Sequence, residues 1–408
     1  MTFREFASLL ARPALRRDPL SRCHSIADLR ERAKPFLPRG VFDFVEGGSG
    51  DETTLRRNRR ALLELELVPH VLRKPSRPDT RTEIFGCAST LPFALGPTGA
   101  APGLVRSGGE LSVARAASAA GVPYTVSPFA LETLERIASA ATGPLLFQLY
   151  PFWDRGWSCE LIARARAAGY RTLLLTVDSP VWTGRLRDRR NGFSVPPLKI
   201  RPRMLANCVR HPSWSWQFVR GNAPRLPQRE GMSGSAAFGW DDLGWVRDAW
   251  GGPVVVKGIL STADACEAVA AGARGIVVSN HGGRGLDGVP AAIDVLPEVA
   301  AAVGGQIEVV FDSGIRSGAD IARALCSGAH ACLVARAYLY GLAAGGQRGV
   351  ELAIRLLAED FERTLTLLGA QSSRDLDPTF VRTRRAGATG ATGLEPATPG
   401  FGDRCSAS

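Results

Sequence analysis

Residues 254–284 read VVVKGILSTADACEAVAAGARGIVVSNHGGR, and this stretch decides the fold. An apolar run at 254–256 leads through Lys257 and Gly258 into TADACEAVAAGA, where small apolar residues recur at helical spacing and Gly272 marks the end. A second apolar run at 276–278 stops at SNHGGR, 279–284. Strands that are apolar at successive positions, joined by a helix, fit a parallel sheet buried on both faces. Working outward, the same alternation predicts strands at 93–98, 124–127, 145–150, 172–178, 254–258, 275–280, 307–313 and 331–336. Eight such units predict an α/β protein with a closed (β/α)8 TIM barrel. A doubly wound open sheet is the alternative, and no GxGxxG turn follows an early strand to support it.

The chain of 408 residues is 45% hydrophobic, enough for one large barrel with a substantial core. Its 50 Lys and Arg against 39 Asp and Glu give a net charge of +11, which suits acidic small molecules, anionic membranes or nucleic acid. Eight cysteines are scattered without a CxxC pair or a Cys/His cluster, so neither a metal site nor a disulfide framework is expected and a reducing compartment fits. No apolar run is long enough to span a bilayer. The Arg-rich first 22 residues include Glu5 and Asp18 and lack a secretory apolar region, so 1–24 reads as a lead-in to the barrel unit, 25–382. Residues 383–408, rich in Gly, Ala, Thr and Pro, read as a disordered tail.

Between the fourth and fifth strands the chain runs far longer than one barrel helix needs, which places an insertion at about 198–240. From 199 to 229 it carries seven basic residues (Lys199, Arg201, Arg203, Arg210, Arg220, Arg225 and Arg229) and no acid, interleaved with Trp214, Trp216 and Phe218. Such a segment could face solvent, nucleic acid or a headgroup layer. No nucleic-acid module accompanies it, whereas Trp with Arg suits a membrane interface.

In this barrel class chemistry gathers at the C-terminal strand ends. Here those ends carry Thr98, Ser127, Gln148, Tyr150, Thr176, Asp178, Lys257, His281, Arg284, the loop at 312–316 and Arg336. The last two loops, DSGIRSG (312–318) and Ala335-Arg336-Ala337, combine glycines with two arginines and suit a phosphate. Lys257 could form an imine or stand as a fixed cation beside a developing anion. His281 is suited to general-base work, Arg284 to gripping a carboxylate, and Asp178 to orienting His281.

With these residues in view, the chain resembles the FMN-dependent L-2-hydroxy-acid dehydrogenases and oxidases, which include glycolate oxidase, quinone-linked L-lactate dehydrogenase and (S)-mandelate dehydrogenase. SNHGGRGLDGVPA, VVVKG, FQLY, LTVDSPVWTGRLRDRRNGF and DSGIRSGADIARAL carry the likeness, which runs from about 25 to 376. The resemblance implies a glycolate-oxidase-like barrel with noncovalent FMN against Thr98, Gly99, Ser127, Gln148, Thr176, Lys257 and Ser279. It implies Asp312, Gly314, Arg316, Ala335 and Arg336 at the phosphate end. By the same likeness His281, Asp178 and Lys257 are catalytic. Arg284 and Arg185 bind the substrate carboxylate, and Tyr150 bonds the hydroxyl. Quinone or oxygen is the implied acceptor and a homotetramer the implied assembly, with a cytoplasmic location or peripheral contact on the inner membrane face.

Three positions depart from the family. Phe44 stands where a tyrosine usually donates to the carboxylate; losing a hydrogen bond to a charged group costs roughly 1.5–3 kcal/mol. Small acids such as lactate are therefore expected to bind less well than acids with bulkier apolar side chains. Gly285 replaces a glutamine, and Ala335 a glycine before Arg336.

Overall fold

The computed structural model describes residues 18–73, 77–181, 183–194, 199–200, 202–220 and 237–383. Eight parallel strands close into a barrel: β1 (Phe93–Leu95), β2 (Tyr124–Val126), β3 (Leu145–Leu149), β4 (Thr172–Thr176), β5 (Val254–Ile259), β6 (Gly275–Val278), β7 (Glu308–Phe311) and β8 (Ala331–Val334), with β8 pairing β1. All eight strands fall where the sequence places them, but the expected ranges at 93–98, 172–178, 275–280, 307–313 and 331–336 overrun the strands by two or more residues at their C-terminal ends. The extra residues leave the sheet because they serve loops: Pro97 has no N–H to give, and the Asn280 N–H turns to the Ser313 hydroxyl at 3.4 Å.

Helices precede, connect and follow the strands. Ahead of β1 lie α1 (Ile26–Phe36), α2 (Arg39–Glu46) and α3 (Thr53–Glu64). Between strands run α4 (Ala101–Val105), α5 (Gly109–Ala120), α6 (Leu134–Ala140), α7 (Arg155–Ala167), α8 (Leu186–Asn191), α9 (Pro202–Val209), α10 (Pro212–Arg220), α11 (Leu243–Trp250), α12 (Thr262–Ala270), α13 (Ala292–Val303) and α14 (Gly318–Cys326). After β8 come α15 (Arg336–Gly345) and α16 (Gln347–Leu368). Ser261 and Ser317 cap α12 and α14 by accepting from the Asp264 and Asp320 amides, which offsets the unpaired N–H groups of a helix start.

Inside the barrel, Leu146, Leu174, Val255, Val277, Val310 and Leu333 belong to one buried apolar cluster. A hairpin (Thr82–Ile84 with Cys87–Ser89) closes its N-terminal end. Phe85 enters there, its N–H held by the Glu308 carboxylate at 2.9 and 3.0 Å and its C=O by the Thr172 hydroxyl at 2.9 Å. With that end plugged, the opposite mouth is left to carry the chemistry.

Registration sets which polar ends are neighbours. Thr176 of β4 stands level with Lys257 of β5, and Lys257 with Val277 of β6. The β5–β6 register then shifts at Gly258, whose φ is +117° and whose added Cβ would lie 2.6 Å from the Asp178 Cβ. Only glycine fits both demands, and it lets Asp178 close on the loop after β6.

The insertion holds a short hairpin (Phe193–Ser194 with Lys199–Ile200), then α9 and α10. Trp214 turns inward, donating from its indole to the Leu104 C=O at 3.0 Å and lying 4.6 Å from Phe218, whereas Trp216 is 56% exposed. Of the seven basic residues, Arg201, Arg225 and Arg229 lie outside the described residues, as do most of the lead-in (1–17) and nearly all of the tail (384–408). The Val381–Thr383 segment pairs with Leu65–Leu67, a short sheet the sequence did not announce.

Candidate active site

The polar strand ends converge on a cavity holding about 1400 Å³ of atom-free space, its open mouth included. Side chains at the ends of β1, β3, β4 and β5 and in the loops after β6, β7 and β8 line it.

His281 sits in the loop after β6 with φ +58°, a conformation unusual for a non-glycine residue. Two glycines with positive φ follow it, at +64° and +74°, and together they turn the loop back toward the cavity. His281 Nδ1 lies 2.8 Å from Asp178 Oδ1 and 3.4 Å from the Ser179 hydroxyl. Burial pushes the Asp178 carboxyl up, but the charge and hydrogen bond of His281, helped by Lys257, outweigh it and hold the group below the usual range. An ionised Asp178 accepts from Nδ1–H, so Nε2 is the ring nitrogen left to take a proton.

Lys257 Nζ donates to the Ser279 hydroxyl at 2.8 Å and pairs with Asp312 Oδ2 at 3.0 Å. Burial opposes its charge, but Asp312 and Asp178 more than compensate and raise its pKa. It is a fixed cation; an imine-forming amine would need the opposite shift.

At the other side of the mouth Arg284 and Arg185 flank the Phe44 ring, their guanidinium carbons 5.2 and 4.8 Å from its centroid. Arg284 Nη1 donates to the Phe44 and Gly47 carbonyls at 2.8 Å each. Burial, then Arg185 and Arg336, push the Arg284 pKa well down. Such a cation gains from any anion that enters. Arg185 lies 3.3 Å from Asp188, whose carboxyl is pushed up by burial. Tyr150 lies parallel to His281 at 6.4 Å, beside Phe129 and Phe152. Burial, then the Asp178 charge, raises its phenol pKa, so it is a neutral O–H donor.

Two buried polar atoms on the cavity wall find no hydrogen-bond partner among the described residues: Gln148 Nε2 and Thr176 Oγ1. Buried polar groups rarely stay unpaired, so an amide donor and a hydroxyl facing one cavity fit a polar-edged ring such as the flavin of FMN. Thr98, Gly99, Asp312, Gly314, Arg316, Ala335 and Arg336 also line the cavity, the last two at the start of α15 where backbone amides favour an anion. Most Arg336 donors are committed, to the carbonyls of Val45 (3.0 Å), Gly282 (3.0 Å) and Gly47 (2.9 Å); burial, then Arg316, lowers its pKa to about 10, which still leaves it cationic at neutral pH. Arg316 lies 5.7 Å over Tyr340 and donates to its neighbour's carbonyl.

Ser127 and Ser279 stand behind the wall. The Ser127 hydroxyl accepts from Phe129 N at 3.3 Å, and the Ser279 hydroxyl from Lys257 and from His281 N at 3.0 Å. The sequence reading missed Phe129, Phe152, Val181 and Thr183 on the wall. It also missed Glu110, buried on α5, where Oε1 accepts from Gly103 N and Leu131 N at 3.2 and 3.0 Å. A glutamate in an otherwise Ala-rich helix was its only visible signal.

Known proteins resemble this chain over most of its length. A family described as FMN-dependent dehydrogenase matches residues 33–383. An L-lactate dehydrogenase of Xanthomonas oryzae pv. oryzae is 42% identical over 363 residues, 85% of this chain and 93% of the relative. One of Vibrio cholerae serotype O1 is 40% identical over 366, covering 86% and 96%. Among solved structures, a monotopic membrane protein, (S)-mandelate dehydrogenase, superposes with a TM-score of 0.84 at 36% identity, over 89% of this chain and all of that one. A mandelate oxidase does so at 0.76 and 40% identity, covering 88% and 99%.

Proposed function

From the premise that this chain belongs to the FMN-dependent dehydrogenase family and oxidises 2-hydroxy acids to 2-oxo acids, we propose that its preferred substrate is an L-2-hydroxy acid with an apolar, aromatic-sized side chain. The observation that carries this is Phe44 between the two guanidiniums: an apolar ring where a carboxylate donor would otherwise stand. Phe129, Phe152 and Val181 continue the apolar wall.

In this reading Arg284 and Arg185 grip the substrate carboxylate, and the Tyr150 O–H supports the 2-hydroxyl. His281 Nε2 takes up a proton the acid loses on oxidation, and the Asp178 carboxylate stabilises the imidazolium. Bound FMN supplies the two-electron acceptor. Gln148, Thr176, Thr98, Gly99 and Lys257 would hold its ring, with Ser127 and Ser279 bracing them from behind. Asp312, Gly314, Arg316, Ala335 and Arg336 would hold its phosphate end, and the fixed Lys257 cation would stabilise negative charge on the reduced ring. Anaerobic bleaching of the FMN-loaded protein by L- and D-lactate, glycolate, mandelate and longer 2-hydroxy acids tests the proposal; faster bleaching by lactate than by L-mandelate would reject it.

A second reading concerns the acceptor. The exposed Val209 on α9 and Trp216 on α10, with the basic sequence around them, support peripheral membrane contact on the cytoplasmic face and transfer to a quinone. Among the described residues no helix is long and apolar enough to cross a membrane. Binding to anionic vesicles with quinone-analogue reduction is expected; strong peroxide formation without membranes would favour oxygen. The barrel unit spans 25–382 with its insertion at about 198–240, flanked by the segments 1–24 and 383–408, and it assembles as a homotetramer, which solution mass measurement checks.

A further inference from the structure

Helix α3 lies outside the barrel, and no cavity-lining residue comes from it, yet it meets the His281 loop at three points. Its N-terminus is capped from that loop: Asp287 Oδ2 and Oδ1 accept from the Thr53 and Thr54 amides at 3.2 and 2.8 Å, while the Glu52 side chain at the cap position makes no capping bond to the helix. Leu55 packs so close to Gly283 that a Cβ there would lie 2.6 Å from the Leu55 nitrogen, and the Gly283 φ is +74°. The third point is an amide pair. Asn58 Nδ2 donates to Asn280 Oδ1 at 2.8 Å, and Asn280 Nδ2 donates back to Asn58 Oδ1 at 2.7 Å.

The pair has one possible orientation. Asn280 Oδ1 also accepts from Gly283 N at 3.1 Å, and Asn280 Nδ2 also donates to the Pro290 C=O at 3.0 Å. Asn58 Oδ1 accepts from Ala292 N at 3.4 Å. These backbone partners have fixed polarity, so neither amide can flip without opposing like atoms. Both side chains are buried, at 2% and 3% exposure. In such a site a two-way amide pair is strong when complete and costly when half made.

We propose that Asn58 is a positioning residue for His281: through Asn280 it holds the loop in the left-handed turn that brings the imidazole against Asp178. The inference rests on His281 acting as the base. Asn280 precedes His281, and its side chain ties Gly283, at the end of the turn, and Pro290, further along the loop, back to one point on a rigid helix. Without that anchor the positive φ at His281 has less to sustain it. A displacement of about 1 Å at a reacting group can cost on the order of 10²-fold in rate.

The test uses the FMN-loaded full chain with Asn58→Leu, which removes both bonds at similar size, and Asn58→Asp, which keeps the acceptor and turns an oxygen on Asn280 Oδ1. In anaerobic stopped-flow bleaching, both variants are expected to retain FMN. Their limiting rate of flavin reduction should fall about 10- to 100-fold while the apparent substrate Kd moves less than threefold. A merely structural role would lower thermal stability or FMN content and leave the loaded fraction bleaching at the wild-type limiting rate; that result overturns the proposal. Amide hydrogen exchange gives a readout free of turnover: 279–284 should exchange faster in the variants while the barrel strands do not. Unchanged exchange at 279–284 also overturns it. If wild-type protein is bleached by no 2-hydroxy acid, the functional reading fails, and the exchange result still decides whether Asn58 holds the loop. Should Asn58→Leu not fold, Asn58→Asp carries both measurements.

Discussion

Asp178 fixes which nitrogen of His281 can act. With Oδ1 2.8 Å from Nδ1, the carboxylate takes the Nδ1 proton in hydrogen bond and leaves Nε2 basic. The contact depends on a vacancy at Gly258, where any side chain would meet the Asp178 Cβ at 2.6 Å. A backbone choice on β5 thus sets the geometry of a hydrogen bond between the loops after β4 and β6.

His281→Gln should abolish flavin reduction while FMN stays bound, because the imidazole's polar contacts are to Asp178 and Ser179 and not to the residues assigned to FMN. Asp178→Asn keeps the volume but offers no carboxylate to the imidazolium, and should slow reduction by roughly 10²- to 10⁴-fold, the range general-base catalysis supplies. Single-turnover bleaching measures both; wild-type rates in either variant would remove that residue from the proton path.

Phe44→Tyr should raise kcat/KM for lactate and glycolate. A hydroxyl on the ring between Arg185 and Arg284 restores a donor to the carboxylate, worth roughly 1.5–3 kcal/mol, or about 10- to 100-fold. Mandelate should gain less if its ring already uses the apolar wall. Steady-state kinetics on the two acids checks this, and an equal gain on both would place Phe44 outside substrate selection.

Thr176→Val offers opposite signs in two states. The Thr176 hydroxyl is buried with no partner among the described residues, so the isosteric valine should raise the melting temperature of FMN-free protein. With FMN present the same change removes a hydrogen bond worth roughly 0.5–1.5 kcal/mol and should weaken FMN binding about 2- to 10-fold. Fluorescence titration and thermal melts read the two effects; a melting temperature lowered in the FMN-free variant contradicts the assignment.

Much of this was legible in the sequence because barrel strands announce themselves. The apolar runs that became β5 and β6 have no other stable home than a sheet covered on both faces. Lys257, His281 and Arg284 could be read because each interrupts or ends such a run. Residues acting across sequence distance left no comparable trace. Asn58 and Asn280 are 222 positions apart, and an asparagine on a polar helix looks like any solvated one until the fold buries it. Trp214 looked like part of an outward aromatic face, and only its bond to Leu104 shows that it docks α10 on the barrel. The Ser127 and Ser279 side chains end strands as expected, but a period of two residues cannot say which side of the wall a hydroxyl will face.

Glu110 carries a pH dependence of stability that has its own sign. Burial raises its carboxyl from the usual 4.5 to about 7, against backbone N–H bonds from Leu131 and Gly103 that pull the other way. Below pH 4.5 the group is protonated folded or unfolded, and it costs nothing. Between 4.5 and about 7 the unfolded chain ionises freely while the folded one resists, so stability is lost as pH rises through this window and then levels off. The shift corresponds to a loss on the order of 3 kcal/mol. Glu110→Gln keeps an acceptor for Gly103 and Leu131 but cannot ionise. Urea midpoints at pH 5 and pH 7.5 should therefore fall more for wild type than for Glu110→Gln, with the difference confined to that interval. Parallel pH profiles for the two proteins would mean that Glu110 is ionised throughout, with its charge met by a partner the buried Oε2 does not show.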